Sequence, residues 1–201
     1  MMVQTSSQVK DSFRRFPRNS EYVHCDDEGL FFTNPESTCI ELKYPSTLER
    51  LPFFASLLAQ IGYEPQDFQG SLIWIKQWGI WNLADEGVGY EIVEQMHTAA
   101  GQPQSFEVGT GHSFRADEFH KSVGMLLQPM IFGWDAYYLG CWSYGTDQFF
   151  LHVSHDSYVS LVTRTHEFHQ KVFAILEGLK LGPHPATGPS LQRFCRQERS
   201  L

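Results

Sequence analysis

Apolar and polar positions are patterned most clearly between Phe132 and Leu179, where aromatic strands, a His-Asp-Ser turn and an amphipathic helix follow in close order. Trp134 to Leu139, Phe149 to Ser154 and Tyr158 to Val162 are predicted strands, the last two joined as a hairpin through His155-Asp156-Ser157. Arg164 to Leu179 is predicted as a helix with Phe168, Val172, Ile175, Leu176 and Leu179 on one face.

Upstream, Ser37 to Tyr44 alternates as a strand, with Ile40, Leu42 and Tyr44 opposite Cys39, Glu41 and Lys43. Ser46 to Glu49 has the form of a capping box. Pro52, which lacks a backbone N–H, favours a later start near itself and a run to Ile61, stopped by Gly62. Leu72 to Trp81 is β-branched and aromatic, so a strand is expected despite tryptophans at helical spacing, with Gly79 marking a bulge. Asn82 and Asp85 cap a helix whose inward face is Val88, Ile92, Val93, Met96 and Ala100. Gln104 to Val108 is a short strand and the pair Gly109, Gly111 a turn. Asp117 to Gln128 is a helix turning Phe119, Val123, Leu126 and Leu127 inward and ending at Pro129.

This order mixes crossovers with hairpins. It predicts an α+β fold, with a single mixed or mostly antiparallel sheet of about five to six strands and about four packed helices. Residues 1–20 show no periodic apolar face and read as a disordered basic tail, and 21–180 as the single globular domain. Residues 181–201 read as a Pro/Gly linker and a second basic tail.

Composition supports a cored domain, since 42% of residues are hydrophobic and 14% aromatic. No apolar stretch reaches the roughly 18 residues that span a bilayer. The N-terminal segment lacks the apolar region of a secretory signal, and the four cysteines are widely spaced, so a cytoplasmic protein with free thiols is expected. The formal charge of −8 is divided unevenly: residues 1–20 and 180–201 each carry a net +3, while residues 21–179 hold 21 acidic against seven basic side chains. Such a body repels nucleic acid and attracts basic surfaces.

Three constellations could carry chemistry. His152, His155 and Asp156, with His166 and His169 on the next helix, are residue types that bind divalent transition ions. In a strand His152 and His155 point to opposite faces and converge only if the turn begins early, whereas His166 and His169 share a helical face. Cys141 could act as a nucleophile with these histidines, but nothing before it forms a helix N-terminus to lower its pKa. Gly109-Thr110-Gly111 lacks the lysine and spacing of a phosphate loop. Finally, Tyr137, Trp142 and Tyr144, flanked by Asp135 and Asp147, suit a protein-binding surface, because consecutive Tyr137 and Tyr138 face opposite sides of a strand and one should be accessible.

The expected function is therefore a non-enzymatic protein-binding module with an acidic, aromatic-containing surface, without cofactor, nucleic acid or membrane, whose partner is a basic protein. An inhibitor or immunity-type role is one concrete form. A metal-dependent hydrolase built on the histidine set and a structural subunit of a larger assembly are the alternatives.

Overall fold

The computed structural model describes residues 1–14, 23–25, 30–32, 38–77, 83–99, 110–142, 149–163 and 165–181. In chain order the elements are β1 (Met2–Gln4), α1 (Ser6–Arg14), β2 (Val23–Cys25), β3 (Leu30–Phe32), β4 (Thr38–Lys43), α2 (Leu51–Ala59) and β5 (Phe68–Gln77). There follow α3 (Leu83–Ala99), β6 (Gly111–Arg115), α4 (Phe119–Phe132), β7 (Asp135–Trp142), β8 (Phe149–Ser154), β9 (Tyr158–Thr163) and α5 (His166–Gly178). Seven strands form one sheet in the order β1-β6-β5-β7-β8-β9-β4, and β2 and β3 form a separate two-stranded ribbon. Every neighbouring pair in the large sheet is antiparallel. The fold is α+β as the pattern predicts, with more strands than the expected five to six and five helices.

Register assigns the two faces of the sheet. Residues directly opposite one another share a face, so Ile73 stands beside Tyr138, and Tyr138 beside Leu151, which in turn meets Leu161. These side chains belong to the main core with Leu51, Phe54 and Leu58 of α2, Met125 and Leu126 of α4, and Phe168, Val172 and Leu176 of α5. Trp74, Tyr137 and Phe150 point the other way and form a second cluster with Leu72 and with Val9 of α1. The sheet is therefore buried on both faces. The unbroken burial of β8 records this, since every residue from Phe149 to Ser154 is enclosed.

The second cluster corrects the reading of the N-terminus. Residues 1–14 include an edge strand on β6 and a helix whose Val9 is fully buried. Full burial of one valine contributes about 1.5–3 kcal/mol. Gly111 permits the docking: a Cβ there would lie 2.5 Å from Val9 Cγ2, so only glycine lets α1 lie flush against β6. Gly111 is thus the first residue of a strand rather than part of a turn. Its short run and its histidine hide that strand from a periodicity argument.

One helix start falls near Pro52 as expected, without the capping box, and one helix end differs from expectation. No side chain caps the turn at Leu48–Arg50, and α2 begins at Leu51 with Pro52 in its first turn, where its missing N–H leaves no intrahelical bond unmade. Helix α4 continues through Pro129 to Phe132, because Pro129 and Met130 are both buried against the core. It ends at Gly133, whose φ of 66° is left-handed, and the Trp134 N–H then closes onto the Pro129 carbonyl at 3.0 Å. Strand β5 has register shifts between Phe68 and Gly70 and between Ile75 and Gln77, but Trp78, Gly79 and Trp81, with the bulge expected there, lie outside the described residues, as do Gln104 to Val108 and the C-terminal tail from 182 onward. No described helix is long and apolar enough to cross a membrane.

Candidate functional site

Strand β7 does not offer the aromatic surface expected of it. Tyr137 is 3% exposed and Trp142 1%, and Tyr138 is fully enclosed. The consecutive tyrosines face opposite sides, but each side is covered. Tyr137 packs between Trp74 and Phe150, at ring-centroid distances of 5.3 and 5.5 Å, and stacks on His152 at 4.9 Å. Trp142 stacks on Tyr63 at 5.0 Å in the main core. Both are structural aromatics. Tyr144 and Asp147 lie outside the described residues.

Asp135, at the start of β7, has a different task. One carboxylate oxygen accepts the backbone N–H of His155 at 3.1 Å, and the other accepts its Nδ1–H at 2.9 Å. The Nε2 of His152 stands 3.8 Å from the same carboxylate. Burial alone raises this carboxyl, yet the nearby His152 ring and the hydrogen bonds from the backbone and ring of His155 outweigh it and hold it at about 2. The convergence requires the early turn. His155 has already left β8, Ser157 adopts a φ of 64°, and the imidazole folds back across the strand end. Its Nε2 faces Asp156 Oδ1 at 3.5 Å. Tyr44 closes the same end of the sheet by donating to the Ser154 carbonyl at 3.0 Å. The group fastens the β8–β9 turn to β7 and β4.

The other two histidines are elsewhere. His166 and His169 stack at 6.2 Å in the first turn of α5, beyond the far end of β9 from His155. Six residues of extended chain separate the two groups by roughly 20 Å. Gln170 donates to His166 Nε2 at 2.8 Å, which occupies the lone pair a metal would need. Burial, and then the neighbouring His166, lower the pKa of His169. The five proposed ligands therefore do not gather. Among the described residues no group of three or more His, Cys, Asp or Glu side chains is placed to hold a metal ion. Cys141 is a half-buried free thiol on β7.

The pattern missed a buried histidine pair. His97 of α3 and His112 of β6 are 1% and 0% exposed, and their Nε2 atoms lie 2.8 Å apart, so one ring donates and the other accepts. Burial, reinforced by the neighbouring ring, pushes His112 down to about 3. A signal existed: His97 follows Val93 by four residues on the inward face of α3.

What remains accessible is the outside of the helical layer. Helix α4 contacts both α2 and α3. Val123 and Leu127 of α4 are half-buried and pack against the core, as the pattern predicts, while Ile131, four residues further on, is 46% exposed. Phe53 of α2 is 62% exposed. On α3, Glu91 and Glu94 are both exposed at i,i+3, and no described cation pairs with either. The interior acids differ: Glu118 is held by the Arg115 backbone N–H at 3.1 Å and by Lys121 at 3.3 Å, and Asp135 by histidines. No protein-family model matches this chain, and neither does any curated protein or solved structure.

Proposed function

We propose that the protein is a non-enzymatic binding module that captures a basic protein on its helical layer. The observation that carries this reading is the charge division of the chain, 21 acidic against seven basic side chains over residues 21–179, together with the exposed pair Glu91 and Glu94, which no described cation meets, and the exposed apolar Phe53 and Ile131. Like charges at i,i+3 on a helix weaken it slightly, so Glu91 and Glu94 are better explained by an external cation than by folding. Ile131 of α4 and Phe53 of α2 supply the exposed apolar groups first sought on β7. Inhibition of a cationic protein in the cytoplasm is the form of this function we favour.

The test is affinity capture from the native host with three baits: the wild type, Glu91→Lys with Glu94→Lys, and Ile131→Asp. A basic protein retained by the wild type, released by salt and lost with both variants supports the reading. Equal retention by all three baits, or an acidic captured protein, overturns it.

A further inference from the structure

A cavity of about 650 Å³ opens between the end of α3, the end of β6 and the start of α4. Its volume lies within the roughly 300–1,000 Å³ typical of small-molecule sites. Met96, Ala99 and Phe114 give it an apolar lining, and Arg115 and Lys121 stand at its rim. These two cations are conspicuous in an acidic body, because residues 21–179 contain only seven bases. Both reach solvent, being 78% and 66% exposed, and their longest ties, 3.6 and 3.7 Å from Arg115 to Asp117 and Glu118, are weak.

Glu118 also lines the cavity but does not repel an anion there. It is 4% exposed, and its two oxygens are occupied by the Arg115 backbone N–H, Lys121 Nζ and the Met1 ammonium. Its charge is matched from within the protein. The Arg115 guanidinium and the Lys121 ammonium, the latter still tied to Glu118 at 3.3 Å, are exposed and line the opening beside the apolar side chains.

We infer that this cavity binds a small amphipathic carboxylate: the tail lies against Met96, Ala99 and Phe114, and the headgroup meets Arg115 and Lys121. Arginine supplies a bidentate fork for a carboxylate and lysine a mobile point charge. The inference uses none of the residues on which the docking surface rests, so it stands or falls independently of that reading.

Calorimetric titration of the full chain with decanoate, below its micelle-forming concentration, tests the inference. Decyltrimethylammonium, which has the same tail length and the opposite charge, serves as comparison. Decanoate is expected to bind saturably, one per chain, and roughly ten-fold more tightly than the cation. Arg115→Gln with Lys121→Gln should erase that preference, and Ala99→Trp should fill the cavity and abolish binding of both. Because a variant could misfold, the Met96 methyl resonance of the wild type gives a second reading and should shift on addition of decanoate. Equal affinity for the two amphiphiles, or a stationary Met96 signal, overturns the inference.

Discussion

At the scale of single residues, two polar groups govern how the molecule responds to acid. His112 titrates near 3 in the folded protein, against an ordinary value of 6.5. The unfolded chain therefore binds a proton that the folded protein refuses, so stability is complete above about pH 6.5 and falls as the pH drops from there toward 3. Asp135 has a lowered carboxyl, so its contribution is present above the ordinary carboxylate range and disappears as the pH falls toward 2. The two effects act in different windows and can be separated. Urea melts at pH 7 and pH 5 should show a lower midpoint at pH 5, and His112→Gln, which removes the titrating ring, should flatten that difference. An unchanged slope in the variant would show that the pair is not what senses pH. Asp135→Asn should cost about 1–3 kcal/mol at pH 7, the range for removing a charged hydrogen-bond acceptor, and nearly nothing at pH 2.

At the scale of elements, what the pattern revealed depended on length and on which faces are covered. The β8–β9 hairpin was legible from its aromatic and β-branched runs on either side of the His155-Asp156-Ser157 turn, and α5 from the helical spacing of Phe168, Val172, Ile175 and Leu176. Strand β4 was legible from its alternation: Ile40 and Leu42 face inward while Lys43 faces out. Strands β1 and β6, at three and five residues, are too short to display a period. Missing them meant missing the cover over Tyr137, so an aromatic assigned to the surface belongs to the interior. The run Phe149-Phe150-Leu151 carried the warning, because consecutive apolar residues in a strand imply burial on both sides. Docking of α1 can be tested by its closest contact. Gly111→Ala should destabilise the protein by driving a methyl into Val9, whose Cγ2 and Cβ would lie 2.5 and 2.7 Å away, and Val9→Gly introduced with it should cost less than the two changes summed, a positive coupling between the two sites. If Gly111→Ala alone melts like the wild type, α1 does not rest on β6.

At the scale of the whole molecule, the described strands of the sheet keep nearly all their aromatic surface internal, leaving the outside to the helices and to exposed acids such as Glu91 and Glu94. Long-range attraction and short-range fit then fall to different residues. Glu91 and Glu94 act at a distance, where the field of the acidic body is screened over about 8–10 Å at ordinary salt. Ile131 acts only on contact. In association kinetics with the captured basic protein, Glu91→Lys with Glu94→Lys should slow capture several-fold at low salt, an effect that shrinks as salt rises, while barely altering release. Ile131→Ala should do the opposite, speeding release at every salt concentration with the capture rate nearly unchanged. His166→Ala and His169→Ala, on another helix, should change neither rate. Capture that is indifferent to salt would show that charge does not steer the encounter, whatever the affinity of the complex.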